Sequence, residues 1–326
     1  MINEILPKIY KIEVPLPNNP LKVLNSYIIK GRERNLIVDT GFNREECRNV
    51  LLSGLKELKI NLSKTDLFIT HMHADHSGLI SSIASLKSLI YCSELDARII
   101  NFGRSKEYWE PMRIYSQQCG FPKEELKDVI EKHPGYKYCT QGPHNFRIIR
   151  NRDMVIIDDY KMLCIETPGH TQGHMCLYEP EKKFLFSGDH ILDDITPNIS
   201  LWGDDSNPLG EYLRSLDKVY ELNVEIVFPG HRNFITNHRD RIKELKLHHQ
   251  YRLNEINSIL KDGPKTGIEI ASKMKWNMSY NSFDLFPTPQ KWFAIGETVA
   301  HLKYLEEKNL ISKKLINNMF LFSLKA

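Results

Sequence analysis

Apolar positions along the chain repeat with two different periods, and the balance between them changes part-way. Between residues 22 and 40, the runs Leu24–Ile29 and Asn35–Val38 flank the charged turn Lys30-Gly31-Arg32-Glu33-Arg34, which predicts a β-hairpin. Cys47, Val50, Leu51, Leu55 and Leu58 then fall at helical spacing and predict a packing helix over 44–58. Leu67-Phe68-Ile69-Thr70 reads as a buried strand, and Leu79, Ile80, Ile83 and Leu86 predict a helix over 77–86 packed on a sheet. Residues 94–134 read as a helical insert, broken into short helices at Trp109-Glu110-Pro111 and Gly120-Phe121-Pro122. Strand signals return over 154–187 and at Ile226-Val227-Phe228.

After residue 238 the helical period dominates. A basic amphipathic helix over 239–261 stops at Asp262-Gly263-Pro264, and a short helix follows over 266–274. Thr288 reads as an N-cap with Pro289 at the first helical position, ahead of the stripe Trp292, Ile295, Val299, Leu302 and Leu305. Asn317-Asn318 between two apolar runs predicts a terminal hairpin. The expected organisation is an α/β domain over 1–238, with its insert at about 94–134, and a mainly helical domain over 239–326.

Composition narrows the class without deciding it. With 326 residues the chain is comfortable for two domains, and 41% hydrophobic and 26% charged residues are ordinary for a globular protein. No apolar run approaches a membrane span, so no membrane partner is expected. The start Met1-Ile2-Asn3-Glu4 lacks the features of a signal peptide, which favours the cytoplasm. Six cysteines without a C-x-x-C pair argue for reduced thiols, with Cys164 and Cys176 in core strands. Residues 239–326 hold 15 basic against 9 acidic side chains, net +6, leaving 29 against 32, net −3, in 1–238. The helix after Thr288 sets Lys291, Lys303 and Lys308 against Glu297, Glu306 and Glu307 and is neutral, which disfavours nucleic acid as its partner.

The chemistry is concentrated in His71-Met72-His73-Ala74-Asp75-His76, directly after the Leu67–Thr70 strand. Three imidazoles and a carboxylate in six positions leave little apolar surface to bury, and metal ligation is the economical use for them. More candidate ligands recur where strand-like runs end at turn signals: Thr167-Pro168-Gly169 leads into His170, Ser187-Gly188 into Asp189, and Pro229-Gly230 into His231. His174 reads as a structural histidine, and His190 as either a support for the ligands or a pocket wall.

This pattern resembles the metallo-β-lactamase fold superfamily, marked by H-x-H-x-D-H, a later His, a bridging Asp and a last His. The resemblance covers about residues 1–238 and implies an αββα sandwich with metals at one edge of two sheets. It implies that His71, His73 and His170 hold one ion, that Asp75, His76 and His231 hold a second, and that Asp189 bridges them. Asp39 matches the family's structural aspartate. Two divalent ions, zinc before iron or manganese, would supply a bridging hydroxide as nucleophile, with Asp75 orienting it or moving its proton. The C-terminal helices and hairpin resemble the winged helix that some members append, with a role in dimerisation or in closing the active site.

The implied activity is hydrolysis of an ester, thioester or lactone of a small molecule, similar to the hydroxyacylglutathione hydrolases. Endoribonucleases and mononuclear iron persulfide dioxygenases of the same superfamily are the alternatives. Arg104, Lys106 and Arg113 of the insert are candidate contacts for an anionic group of the substrate, with a solvated helical face as the plainer reading. Asn198, in the loop after Asp193, is a candidate hydrogen-bond donor to substrate or a turn former.

Overall fold

A computed structural model describes residues 2–277 and 280–325. Seven strands, β1 (Ile2–Leu6), β2 (Ile9–Pro15), β3 (Val23–Ile29), β4 (Asn35–Val38), β5 (Thr65–Phe68), β6 (Ile90–Cys92) and β7 (Phe146–Ile148), form one sheet in sequence order. It is antiparallel from β1 to β4 and parallel from β4 to β7. A second sheet contains β8 (Met154–Ile157), β9 (Tyr160–Glu166), β10 (Met175–Glu179), β11 (Phe184–Gly188) and β12 (Ile226–Pro229), with only β11 and β12 parallel.

The central strands of the first sheet are apolar without interruption because both of their faces are covered. Ile28, Ile37 and Leu67 turn to one side and pack with Cys47, Leu51 and Leu55 of helix Glu45–Glu57. Their neighbours Ile29, Leu36, Val38 and Phe68 turn to the other side and meet Met162, Leu177, Phe184, Phe186 and Phe228 of the second sheet. A slip of one residue in β3 or β4 would exchange these two sets, so the sandwich fixes the register. The C-terminal part of helix Pro208–Tyr220 is tied to the end of β9: Ser215 Oγ donates to Pro168 O at 2.8 Å and the Lys218 ammonium to Glu166 O. This is the mixed α/β sandwich that the sequence pattern implies. Among the described residues, no helix is long and apolar enough to cross a membrane.

Local chemistry explains where the sequence-based elements shift. The helix expected over 77–86 is two short turns, Ala74–Ser77 and Ile80–Ile83, and Leu86 is fully exposed rather than packed. Ser85 and Ser88 redirect the backbone there, with Ser85 N donating to Ser88 Oγ and Lys87 N to Ser85 Oγ. Pro111 does not break the insert. Helix Lys106–Gln118 runs through it, and the break comes at Gly120, whose φ is +95°. The cap of helix Thr288–Glu307 is Pro287, one residue earlier than expected.

The chain divides into two units, Met1–Gly103 with Pro134–Pro197 and Ser215–Ile242, and Arg104–His133 with Asn198–Arg214 and Lys243–Ala326. The sequence-based boundary at 238 left the insert with the first domain, whereas most of the insert, residues 104–133, falls in the second unit. The reason is aromatic burial. Phe121 meets Trp292 edge-on at 5.7 Å, Trp202 stacks on Trp292 at 3.9 Å, and Tyr115 packs on Phe320. Within the same unit, β13 (Ile311–Ile316) and β14 (Met319–Leu324) close through Asn317 and Asn318, both at positive φ, as a two-residue hairpin turn requires.

Deletion after residue 238 therefore strips Phe121, Trp202 and Tyr115 of their partners. The shortened chain is expected to aggregate or to lose cooperative melting, checked by size-exclusion chromatography and thermal circular dichroism. A monodisperse, cooperatively melting product would contradict this packing.

Candidate metal centre

All seven residues expected as ligands come together at one edge of the two sheets. His71 and His73 follow β5, Asp75 and His76 lie in the short helix Ala74–Ser77, and His170 sits between β9 and β10. Asp189 directly follows β11, and His231 lies just beyond β12. The ligand loops crowd each other closely. A Cβ at Gly230 would stand 2.7 Å from both Asp189 Oδ1 and His76 Cε1, so no larger residue fits there without displacing a candidate ligand.

Three overlapping groups have donor atoms within 4.8 Å of one another: His71, His73 and His170; His71, His76 and Asp189; and Asp75, His76 and His231. Asp189 stands between the outer two groups. Its Oδ1 is 3.4 Å from His76 Nε2, and its Oδ2 is 3.6 Å from both His170 Nε2 and His231 Nε2. Asp75 Oδ2 is 3.4 Å from His231 Nε2.

The outward hydrogen bonds of the rings decide what the inward nitrogens offer. His231 Nδ1 lies 2.7 Å from Val23 O, and a carbonyl only accepts, so this nitrogen carries the proton. His76 Nδ1 donates to Asp39 Oδ2 at 2.7 Å. Thr70 Oγ1 donates to the same Asp39 oxygen at 2.8 Å and is left to accept from His71 Nδ1 at 3.0 Å. When these rings are neutral, the Nε2 atoms of His71, His76 and His231 therefore present lone pairs inward. His76 Nε2 and His231 Nε2 face each other at 3.3 Å, and Asp189 Oδ1 has no hydrogen-bond partner among the described residues. Facing lone pairs beside a buried carboxylate are repulsive unless a proton or a cation lies among them. Imidazole nitrogens and carboxylate oxygens with their second atoms already tied are a donor set that fits divalent metal ions.

Electrostatics separates the imidazoles. Burial pushes His71 well below the ordinary histidine range and His73 down to about 3, and neighbouring imidazoles push in the same direction. Burial also opposes charging of His76 and His231, but the carboxylates Asp189 and Asp75, with Asp39 beside His76, hold both above that range. Burial opposes ionisation of Asp75 as well, yet His76 and His231 hold it down to about 2.

Several residues that hold this arrangement carry no motif. Asn25 N donates to Gly230 O at 2.7 Å and Tyr27 OH to Pro229 O at 2.7 Å, so β3 pins the loop that bears His231. Asp96 accepts from Met72 N, Thr171 Oγ1 and Gly173 N, and burial pushes it up to about 6 despite these three bonds. His174 accepts from Asp189 N at Nε2, which leaves Nδ1–H for Thr167 Oγ1 at 2.8 Å, so its ring serves structure rather than metal. His190 is fully buried beside Asp189.

The expected substrate contacts fall outside the unit that carries these donors. Arg104, Lys106, Arg113 and Asn198 all belong to the second unit. Arg113 is committed to Glu110 at 2.6 Å, an i,i+3 ion pair along its own helix. Asn198 Oδ1 accepts from Ser200 Oγ and its amide reaches Glu297 at 3.5 Å.

The sequence profile of the metallo-beta-lactamase superfamily matches residues 21–138 and 162–231, more than half of the chain. The chain belongs to the metallo-beta-lactamase superfamily. It is a hydrolase. It is 25% identical over 310 residues, 92% of this chain and 93% of the relative, to the probable metallo-hydrolase YqjP of Bacillus subtilis (strain 168). To the acyl-coenzyme A thioesterase MBLAC2 of Homo sapiens it is 27% identical over 218 residues, 64% of this chain and 73% of that one. Among solved structures, the metallo-beta-lactamase family protein TTHA1429 from Thermus thermophilus superposes with a TM-score of 0.83 at 29% identity, covering 99% of this chain and 100% of that chain. That likeness extends past residue 231, where the profile ends.

Protons compete with metal at imidazole nitrogen, and a raised pKa moves that competition to higher pH. Zinc affinity at the Asp75, His76 and His231 group is expected to fall already as pH drops through the near-neutral range. At the His71, His73 and His170 group, where His71 and His73 are pushed down, affinity is expected to hold to lower pH. Equilibrium dialysis against zinc between pH 8 and pH 5 checks this, and a single step shared by both groups would contradict it.

Proposed function

We propose that this hydrolase cleaves an activated acyl bond, a thioester before an ester or lactone, at a centre of two divalent ions with zinc preferred. The observation that carries the reading is the set of inward nitrogen lone pairs around Asp189, a carboxylate within 3.6 Å of imidazoles from both outer groups. His71, His73 and His170 would hold one ion, Asp75, His76 and His231 the other, with Asp189 shared. When bound, the ions would supply Lewis acidity for the substrate carbonyl and lower the pKa of water near them. The thioesterase named among the relatives supports a carbonyl substrate.

In this reading the residues of the chain divide the work. Asp75, held ionised beside His231, accepts a proton from the attacking water and returns it to the leaving group. Thr70, Asp39 and Val23 keep the imidazoles in the tautomer that presents Nε2 inward. A thiolate needs little help in leaving, which suits a site where, among the described donors, Asp75 is the chief candidate for moving the proton.

RNA cleavage is the competing reading, and charge weighs against it. Polyanion binding draws its affinity from rows of cations. The first 238 residues are net −3, and in helix Thr288–Glu307 Lys303 pairs with Glu307 at 3.5 Å. The C-terminal helices and hairpin are read as a winged-helix-like module for a second subunit rather than for nucleic acid, and the cytoplasm as the compartment.

Asp189→Ala is expected to lower activity by orders of magnitude and to reduce bound metal, measured by elemental analysis on protein with an unchanged circular dichroism spectrum. A variant with full activity and full metal content would refute the shared-ligand role. Under matched metal conditions, an acyl-coenzyme A thioester or a lactone should turn over faster than single-stranded RNA. The reverse order, with a rate that collapses as salt rises from about 50 to about 200 mM, would favour the ribonuclease.

A further inference from the structure

The stretch His71-Met72-His73 leaves the first sheet and the stretch His170–His174 leaves the second, and one buried carboxylate touches both. Asp96 lies in the first turn of helix Glu94–Phe102 and is completely buried. Its Oδ2 accepts from Met72 N at 2.9 Å and from Thr171 Oγ1 at 2.6 Å, and its Oδ1 accepts from Gly173 N at 3.0 Å. Met72 separates His71 from His73, and Thr171 follows His170. The three donors thus flank every member of one candidate ligand group.

The clamp is tight as well as polar. Ser93 Oγ caps the same helix by accepting from Asp96 N at 3.3 Å. A Cβ at Gly173 would stand 2.2 Å from Ser93 Oγ and 2.6 Å from Asp96 Oδ1, so the loop reaches the helix end only because residue 173 is glycine. Burying a carboxylate is costly, and a segment needing only a helix start could use an exposed one. Here the side chain turns inward to two loops instead. The other outer group is held by different bonds: His76 through Asp39 and Thr40, and His231 through Val23.

We infer that Asp96 is the positioning residue of the His71, His73 and His170 group, stapling the loops of two sheets so that three imidazoles converge. This rests on the metal reading above. Asp96 itself addresses backbone and hydroxyl donors and is not a ligand. Its replacement should therefore loosen one ion and leave the other.

Asp96→Asn is the sharp test because it keeps the shape and reverses the chemistry. Whichever way the amide is turned, its NH2 meets either Gly173 N–H or Met72 N–H. Thr171→Val is the milder test, removing a single donor. Metal-free wild type and both variants would be titrated with Co2+, reading the visible absorption of each binding step, with the thermal midpoint of the metal-free proteins measured alongside. Asp96→Asn is expected to weaken one step by about 10–100-fold with an altered spectrum while the other step is retained, and Thr171→Val to shift the same step less. Both steps and both spectra matching wild type in either folded variant would overturn the role. If Asp96→Asn does not fold, Thr171→Val decides by the same criterion. A wild type that takes up no Co2+ would remove the metal reading and this inference together, and is told apart because it needs no variant.

Discussion

One carboxylate, that of Asp39, sets the chemical state of the site. It sits just after β4 with φ at +58°, a backbone conformation costly for a residue with a Cβ, and it accepts from Thr70 N, Thr70 Oγ1 and His76 Nδ1. Because the Thr70 hydroxyl spends its only proton on Asp39, it can accept from His71. A single buried carboxylate thus fixes the tautomers of two imidazoles. Without it their inward nitrogens would be free to carry protons and would no longer be donors to metal.

The two sheets exist to hold such anchors in register. Val23, Asn25 and Tyr27 on β3 point across the sandwich to the end of β12, more than 200 residues along the chain, and fix the loop of His231 through backbone carbonyls. The apolar side chains between the sheets determine how far apart those strand ends lie. Packing density in that layer therefore translates into ligand spacing, since interiors this well filled transmit small displacements.

The second unit follows another logic. Its buried polar residues pair with each other: His249 Nδ1 with His301 Nε2 at 3.0 Å, His301 Nδ1 with Glu297 O at 2.8 Å, and Arg252 with Glu297 at 3.5 Å under the face of Trp276. Burial pushes both imidazoles down, His301 to about 3, so they are neutral structural groups. The aromatic stack on Trp292 gathers segments from three parts of the chain.

By itself the sequence determined the ligand loop, the strand-end positions of His170, Asp189 and His231, the β3–β4 hairpin, the stripe on helix Thr288–Glu307 and the Asn317-Asn318 turn. In each of these the controlling interaction is local, a period of side chains or a backbone conformation that few residues tolerate. The strands β1, β2, β6 and β7 were not legible, because short strands owe their existence to neighbours supplied by distant segments. Asp96 left only the spacing Ser93-x-x-Asp96, which reads as an ordinary helix start, and Arg113 reads as a free cation until Glu110 is placed beside it. Tertiary structure alone decided the role of Asp96 and gathered residues 104–133 with the C-terminal helices. A buried polar group is defined by the partners that satisfy it, and here those partners lie from 24 to 208 residues away.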